Sequence, residues 1–405
     1  MQNNSLLITK CEVCGNHDLT DVLDLGLHPM CDDLVEIGSN RICQEYPIFI
    51  TYCKNCNTAH QKYQIPKLEL FPKTYHYRSR FTKDVLNGMK SLVNDSAIIL
   101  GDFSQKKVID IGCNDGSLLT FFKEKGALTY GIEPTDAYKD ALESGHLVFN
   151  EYLDIKTAKK IVNDIGKFDI ITFTNVFAHI EDLNSVLLAL KELMHEKTII
   201  IIENHYLGAV IERNQFDTFY HEHPRTYSFN SFLFIAKTLG LDLLNLEFPS
   251  RYGGNIRVVL GNASFYENLV KDYSQLLIKE SHFFDELVKM NDKIITWKTQ
   301  MKNIIYDKIL VNGKLKGKAF PGRAAILVKL LELDENMISA VYEKPGSMKI
   351  GHYLPGTRIP IKSDIELFSV IENEKVILNL AWHIKIEIEK YLSGNNYKGE
   401  IINIL

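Results

Sequence analysis

The chain has 405 residues, 45% of them hydrophobic and 24% charged, which is enough apolar material for two or three domain cores. Lysine and arginine number 46 against 51 for aspartate and glutamate, so the net charge of -5 gives no electrostatic reason to expect nucleic acid or an anionic membrane as a partner. Residues 1–11 hold no apolar run of signal-peptide length, and no later run approaches the roughly 20 residues that span a bilayer. We therefore expect a cytoplasmic protein. The sequence does not set its oligomeric state, and a monomer is the simplest expectation.

The N-terminal module, predicted over residues 1–70, is turn-rich and studded with Gly, Asn, Asp and Pro. Strands are predicted over residues 9–11 and 49–53, each leading into a turn that carries a Cys-x-x-Cys pair. Two thiolate pairs on tight turns can close a tetrahedral metal site, and in a cytosolic chain this spacing indicates a structural zinc ion before disulfides. Four unpaired thiols are the alternative, but they would leave a module with little core unsupported. The predicted zinc ligands are Cys11, Cys14, Cys53 and Cys56.

A second domain is predicted over residues 71–261, where short apolar strands alternate with amphipathic helices. This alternation is typical of an α/β fold with a parallel, doubly wound sheet. The predicted strands cover residues 108–111, 128–132, 168–173 and 198–202.

A third part is predicted over residues 262–405. Apolar positions at helical spacing over residues 262–309 indicate one or two long connecting helices. The α/β alternation then resumes and predicts a C-terminal domain of Rossmann-like build. Its predicted strands cover residues 317–320, 338–342, 375–380 and 400–404.

A short loop follows the first strand of the second domain and reads Asp-Ile-Gly-Cys-Asn-Asp-Gly-Ser over residues 110–117. Its small residues let a ligand approach the backbone, and the helix that follows offers free N–H groups to an anionic ligand. Glu133 ends the next strand, where an acidic side chain can bind ribose hydroxyls. The spacing is neither Gly-x-Gly-x-x-Gly nor a P-loop, and a purely structural turn is the alternative. Strand, turn and acid together resemble the S-adenosylmethionine (SAM) loop of class I methyltransferases, which implies a cofactor site at Asp110, Gly112, Asn114, Gly116 and Glu133.

Two polar residues follow the strand predicted over residues 168–173. Asn175 and His179 lie at its carboxyl end, where open α/β sheets bind ligands, so both are candidates for the pocket, Asn175 as a cofactor contact. A lone histidine on an apolar segment is more often a satisfied core residue, and that alternative stays open for His179.

The run Tyr-His-Glu-His at residues 220–223 packs a phenol, a carboxylate and two imidazoles into four positions. So much titratable chemistry is costly to bury without a use, and a histidine beside a carboxylate and a phenol can be held in one tautomer near neutral pH. A metal site built on His-x-His lacks further ligands, and a solvated charge cluster is the other alternative. We favour proton transfer.

These motifs, together with residues 252–257 and 353–361, resemble the nucleotide-sugar C-methyltransferases that make branched deoxysugars. The resemblance extends over essentially the whole chain. It implies an N-terminal zinc domain, a central SAM domain and a C-terminal Rossmann-like domain. It also implies methylation at C3 of a nucleoside-diphosphate 4-keto-6-deoxysugar, commonly linked to dTDP, with no cofactor beyond SAM needed for the chemistry.

The resemblance also implies roles for individual residues. His223 would remove the C3 proton to give an enolate, with Glu222 orienting His223. Three further residues would contact the sugar: Tyr220, His179 and Tyr77.

The chain departs from the family at residues 318–324, where the usual Gly-Ala-Pro-Ala-Lys-Gly reads Lys-Ala-Phe-Pro-Gly-Arg-Ala. Arg323 keeps a cation there, although arginine and lysine differ in donor geometry. The predicted contacts to the nucleotide or its pyrophosphate are Arg257, Arg323 and Lys349, with Asn255 as a further substrate contact; ordinary surface ion pairs are the alternative for the three cations. Methyl transfer to oxygen or nitrogen of a nucleotide-linked sugar, and a catalytically silent binding or scaffold protein, are the alternatives for the whole chain.

Overall fold

The computed structural model of the chain describes residues 5–71, 78–81, 83–270 and 272–405. An N-terminal module begins it, with strands and one short helix: β1 (Leu6–Leu7), β2 (Leu19–Pro29), β3 (Val35–Glu36), β4 (Glu45–Cys53), β5 (Thr58–Gln61), β6 (Tyr63–Gln64) and α1 (Lys67–Leu70). β2, β4 and β5 pair in antiparallel order, and the strand predicted over residues 49–53 is the second half of β4. The strand predicted over residues 9–11 is wrong, because the N–H and C=O groups of Cys11 instead bond within a tight turn, to Asn16 and Gly15.

The second part contains the largest sheet. Its elements are α2 (Lys83–Leu100), β7 (Lys107–Ile111), α3 (Ser117–Glu124), β8 (Leu128–Ile132), α4 (Tyr138–Glu143), β9 (Leu147–Phe149), α5 (Ile155–Ile165), β10 (Phe168–Thr174), α6 (Leu183–Leu193), β11 (Met194–His205), α7 (Leu207–Glu212), β12 (Arg225–Thr226), α8 (Phe229–Leu239), β13 (Asp242–Glu247) and β14 (Asn255–Gly261). Seven strands lie in the order β13-β14-β11-β10-β7-β8-β9. The predicted doubly wound sheet is confirmed, except that β14 runs antiparallel to its neighbours because its link to β13 is too short for a crossover.

The third part begins with two helices and continues with a smaller sheet. Its elements are α9 (Ser274–Glu280), α10 (Phe283–Asn312), β15 (Leu315–Lys318), α11 (Ala324–Leu330), β16 (Ile338–Glu343), β17 (His352–Tyr353), β18 (Ile361–Ser363), α12 (Asp364–Phe368), β19 (Val376–Asn379), α13 (Lys385–Ser393) and β20 (Glu400–Asn403). Five parallel strands lie in the order β18-β16-β15-β19-β20, which confirms the predicted Rossmann-like build. The strand predicted over residues 317–320 ends at Lys318, because Ala319 turns the chain with a φ of 59°.

Six short 3-10 turns connect these elements, among the described residues: Ser79–Phe81, Phe177–His179, Phe216–Thr218, Arg251–Gly253, Ile371–Asn373 and Trp382–Ile384. None of the helices in the described ranges is both long enough and apolar enough to cross a bilayer.

Both large sheets have a switch point where the strand order reverses. In the seven-stranded sheet it lies between β7 and β10, and the loops that leave these two strands pack together: a Cβ added at Gly112 would come within 2.7 Å of Cγ1 of Val176. Gly112 also has a φ of 71°, a conformation that glycine adopts without strain. In the five-stranded sheet the switch point lies between β15 and β19. Ligands of open α/β sheets bind at such points.

The N-terminal module is joined to both other parts by strand pairing. β12 adds to the edge of β5, with Arg225 opposite His60 and Thr226 opposite Ala59. β17 pairs with β3 in the same antiparallel manner. The module therefore supports segments from the two larger parts at once.

The four predicted zinc ligands converge in the N-terminal module. Their Sγ atoms lie within 4.8 Å of one another, with 3.4 Å between Cys11 and Cys56 and 3.5 Å between Cys14 and Cys53. Tetrahedral zinc with Zn–S bonds of about 2.3 Å places its sulfur ligands about 3.8 Å apart, so the donor set and its spacing fit the ion. The carbonyl oxygen of Cys56 in turn accepts hydrogen bonds of 3.2 Å from the hydroxyls of Ser228 and Ser231. The metal site is thereby linked to the segment that follows β12.

Loss of the metal should loosen the segment paired with β5. We expect a Cys56→Ser variant, or the wild-type protein after chelation, to show a Tm lower by about 5 °C or more. Deuterium uptake should rise in peptides covering residues 219–228 and stay unchanged in β20, as read by hydrogen-exchange mass spectrometry. Cys43→Ser is the matched control, since Cys43 lies outside the cluster. Equal uptake at residues 219–228 in both variants would contradict the link.

Candidate active site

The loop that carries residues 220–223 is held by the N-terminal module. The side-chain amide of Gln61 donates to the carbonyl oxygens of Phe219 and Tyr220, at 3.1 and 3.3 Å, and its backbone N–H donates to Pro224 at 2.9 Å. Within the loop, the backbone N–H of His223 donates to the carbonyl oxygen of Tyr220 at 2.9 Å and closes a turn. The position of the loop thus depends on β5.

His223 is buried and its tautomer is fixed. Its Nδ1 lies 3.0 Å from the carbonyl oxygen of Thr218, which can only accept, so Nδ1 carries the hydrogen and Nε2 keeps its lone pair. Burial lowers the pKa of His223 well below the usual value of 6.5, and the neighbouring His179 and His205 lower it further. The ring is therefore neutral at physiological pH and can accept a proton at Nε2.

Three other rings surround His223. The ring centroids of Tyr220, His179 and His205 lie 4.2, 4.8 and 5.1 Å from that of His223. Burial lowers the pKa of His179 to about 4 and that of His205 well below its usual value. We call His179, His205, Tyr220 and His223 the ring cluster; its imidazoles are neutral near pH 7.

The two remaining residues of the loop contact Tyr46 and His179, respectively. His221 bonds through Nε2 to the carbonyl oxygen of Tyr46 at 3.1 Å and so supports the N-terminal module rather than the ring cluster. The carboxylate of Glu222 lies 4.0 Å from Nδ1 of His179, while the orienting contact of His223 comes from Thr218. The predicted role of Glu222 in orienting His223 is thus corrected: its carboxylate lies beside His179. Tyr77 lies outside the described residues.

The predicted cofactor residues surround the loop after β7. Positive φ angles at Gly112, Asn114 and Gly116, of 71°, 52° and 77°, wind this loop into the start of α3. One carboxylate oxygen of Glu133 accepts from the N–H of Asn114 at 2.9 Å. The other accepts from the N–H and hydroxyl of Thr135, at 2.8 and 2.6 Å. This tight turn beside a fixed carboxylate fits the adenosyl and ribose parts of SAM.

Asp110 and Asn175 flank that loop. Burial raises the pKa of Asp110 to about 7, and its carboxylate accepts from the hydroxyl of Thr172 at 2.7 Å. The backbone N–H of Asn175 donates to the carbonyl oxygen of Glu203 at 2.7 Å. Val176 packs on Gly112, and His179 follows three residues later. One turn therefore links the loop after β7, which we call the cofactor loop, to the ring cluster.

Two of the predicted substrate contacts are used inside the second domain. Arg257 donates to Glu203 at 2.8 Å and also pairs with Asp95 and Glu247, at 2.8 and 2.7 Å. Asn255 donates to Glu203 and to Asn175, at 3.0 and 3.1 Å. Glu203 is fully buried and needs these partners, together with Arg251, so the geometry favours a structural role for Arg257 over the predicted nucleotide contact.

The other two predicted cations come from the third domain. Arg323 is only 8% exposed; its Nη1 donates to the hydroxyl of Thr218 at 3.1 Å, and its Nε lies 3.3 Å from the carboxylate of Asp217. Its guanidinium stacks over the ring of Trp382 at 4.9 Å. Lys349 donates to the carbonyl oxygen of Phe320 at 2.8 Å, on the loop that leads to Arg323. Arg323 is thus buried rather than part of a surface ion pair, and it lies beside the ring cluster.

Sequence reasoning missed three residues of this region. His205 ends β11, and Trp382 and His383 follow β19. All three lie at carboxyl ends of strands in open sheets, which is the signal that singled out Asn175 and His179 and could have found them. Burial lowers the pKa of His383 to about 3, with the charge of Arg323 contributing, so His383 also stays neutral.

Comparisons with known proteins place each part of the chain. Three family models match in succession: "Putative zinc binding domain" over residues 11–71, "Methyltransferase domain" over 81–246 and "C-methyltransferase C-terminal domain" over 250–403. The C-methyltransferase NovU of Streptomyces niveus is 23% identical over 400 residues, which cover 96% of this chain and 93% of that protein. A ubiquinone biosynthesis O-methyltransferase of Pasteurella multocida is 32% identical over 109 residues, covering 24% of this chain and 44% of that enzyme.

Solved structures match less than half of the chain. A SAM-dependent methyltransferase from Archaeoglobus fulgidus has a TM-score of 0.36 and 16% identity, covering 43% of this chain and 93% of its own. A magnesium protoporphyrin IX methyltransferase from Synechocystis, with bound SAM, has a TM-score of 0.34 and 16% identity, covering 44% and 79%. The three family models, however, cover nearly the whole chain, and the full-length relative is a C-methyltransferase. The chain therefore belongs to the SAM-dependent C-methyltransferases that combine a zinc-binding domain, a methyltransferase domain and a C-methyltransferase C-terminal domain.

Proposed function

We propose that the chain methylates a carbon next to the ketone of a nucleoside-diphosphate 4-keto-6-deoxysugar, at C3, through an enolate. The observation that supports this most is the state of His223: neutral, buried, and hydrogen-bonded through Nδ1 so that Nε2 is the basic atom. A hydroxyl or amine already carries a lone pair for methyl transfer. A carbon next to a ketone must first lose a proton, which requires a base within hydrogen-bond reach.

His223 is the proposed base, and the residues around it hold the sugar. Tyr220 and His179, whose rings pack against His223, are proposed to contact the sugar, and Glu222 to act through its neighbour His179. Burial raises the pKa of Tyr220 well above 10, so its phenol keeps a proton that it can donate. Tyr77 and Lys349 remain proposed substrate contacts.

The methyl donor is proposed to lie against the loop after β7, with Glu133 facing its ribose. When bound there, SAM supplies the electrophilic methyl group. The residues of the chain have two tasks at this point: they position the loop after β7 through Asn114 and Glu133, and they shield the buried His223 from water.

Replacing His223 by Asn keeps a side-chain amide near the carbonyl oxygen of Thr218 but removes the base at Nε2. We expect methyl transfer and solvent deuterium exchange next to the ketone to fall by about 10²–10⁴-fold. The Kd for SAM, measured by calorimetry, should change little. His195→Asn is the matched control. His195 lies near the start of β11, at the opposite end of the strand from His205, and this variant should keep full activity.

The exchange measurement also separates the alternatives. Wild-type protein incubated with dTDP-4-keto-6-deoxyglucose in D₂O without SAM should incorporate deuterium at C3, as read by mass spectrometry. Methylation of a hydroxyl or amine without any such exchange would favour the O- or N-methyltransferase alternative. A catalytically silent protein would give neither product, and an undiminished rate in His223→Asn would remove His223 as the base.

The pH dependence of exchange should reflect the lowered pKa of His223. A base must be neutral, so its activity is lost as pH falls through its pKa in the folded protein; because that pKa lies well below 6.5, the rate should stay level from pH 8 to pH 6. An unperturbed histidine would already lose about half of its activity at pH 6.5. The test is to measure initial exchange rates across this range, with intrinsic fluorescence to verify folding. A half-maximal rate near pH 6.5 would contradict it.

A further inference from the structure

Residues at the ligand-binding edges of the two large sheets meet at residues 217 and 218. β7, β10 and β11 of the second domain lead into the cofactor loop, His179 and His205. β15 and β19 of the third domain lie side by side at their own switch point and lead into Arg323 and Trp382. Contacts from Arg323 and Trp382 to residues 217 and 218 close the gap between the domains.

Arg323 and His223, the proposed base, both form hydrogen bonds to Thr218. Nη1 of Arg323 donates to the hydroxyl of Thr218 at 3.1 Å, and Nδ1 of His223 donates to the carbonyl oxygen of the same residue at 3.0 Å. The other terminal nitrogen of Arg323, Nη2, is buried and has no hydrogen-bond partner among the described residues. A buried N–H donor of a cation that lacks a partner is costly unless a ligand satisfies it.

The guanidinium is held in a fixed orientation. Nε pairs with the carboxylate of Asp217, whose same oxygen accepts from Nε1 of Trp382 at 2.9 Å. The ring of Trp382 stacks on the guanidinium plane. Because Nη1 contacts Thr218, Nε contacts Asp217 and the guanidinium lies over Trp382, Nη2 is the one guanidinium nitrogen of Arg323 without a hydrogen-bond partner among the described residues.

We propose that Arg323 is a catalytic residue that donates from Nη2 to the ketone oxygen of the substrate and stabilises the enolate. This assignment rests on the proposed function. As the C3 proton passes to Nε2 of His223, the electron pair of that bond moves into the C–C bond and the ketone π pair onto oxygen, whose charge Arg323 meets. The enolate carbon then forms its new bond to the methyl group of SAM, whose carbon–sulfur bond breaks with its electrons to sulfur, and the ketone is restored.

This role differs from the nucleotide contact predicted for Arg323. A pyrophosphate is doubly charged and takes several donors, whereas Arg323 is almost fully buried with its Nη1 and Nε already used. The terminal nitrogen that has no partner, Nη2, belongs to a guanidinium that shares Thr218 with His223, and its N–H groups match one developing oxyanion.

The test compares Arg323→Gln and Arg323→Lys with wild type, using dTDP-4-keto-6-deoxyglucose as the probe. We expect Arg323→Gln to lower kcat for deuterium exchange and for methyl transfer by about 10²–10³-fold, as loss of an oxyanion donor does elsewhere. The Kd values for SAM and for dTDP alone should stay within about twofold of wild type, which also verifies that the variant folds. Arg323→Lys keeps the charge and should retain more activity than Arg323→Gln. Lys329→Gln removes a cation that pairs with Glu45 between domains, away from the pocket, and is the control.

Three outcomes decide the matter. A raised KM and Kd for dTDP with kcat preserved would overturn the proposal in favour of a pyrophosphate contact. An active wild type with an equally active Arg323→Gln would overturn the role of Arg323 alone. If wild type neither exchanges nor methylates the probe, the proposed function is contradicted and the role of Arg323 falls with it.

A measurement without substrate tests the placement of the charge. Since the cation of Arg323 helps to lower the pKa values of His205 and His223, Arg323→Gln should raise both in NMR titrations, with assignments from single histidine variants. Unchanged pKa values would show that the guanidinium lies too far from the ring cluster to act on the substrate.

Discussion

The pairing of β5 with β12 positions the loop that carries residues 220–223, and the rest of the site depends on this pairing. The loop belongs to the methyltransferase domain, yet Gln61 holds two of its carbonyl oxygens and the strand that follows it joins the sheet of the zinc module. A module this small has too little core to fix such an edge strand by packing alone. Four thiolates around one metal ion supply that rigidity, which explains why a metal with no open coordination position belongs in the enzyme.

With that loop fixed, two α/β sheets can contribute to one site. Each sheet brings its switch point, where ligands of open sheets bind, and residues 217 and 218 contact Arg323 and Trp382 of the third domain. The second domain contributes neutral rings and the cofactor loop, and the third contributes a cation. The arrangement places the charge and the proposed base on different domains, so the proposed chemistry depends on the relative position of the domains.

The sequence predicted most elements of this architecture because they depend on local patterns. Cys-x-x-Cys spacing, strand and helix periodicity and the glycine turn after β7 each carry their own signal over a few residues. Three features depend on distant segments and could not be predicted: the contact of His223 with Thr218 rather than Glu222, the use of Arg257 by the buried Glu203, and the approach of Arg323 to the ring cluster. Each is decided by tertiary packing, about which spacing along the chain says nothing.

The electrostatics of the site explain why a histidine with a lowered pKa and a buried cation can act together in the proposed reaction. Burial and the charge of Arg323 lower the pKa of His223, which makes it a poorer proton acceptor in isolation. The proposed proton transfer, however, creates an imidazolium and an oxyanion at the same moment, and a buried oxyanion is costly to leave without donors. A guanidinium whose charge is balanced by Asp217 can meet that oxyanion without adding net charge to the resting pocket. The histidines then stay neutral until the reaction itself separates charge.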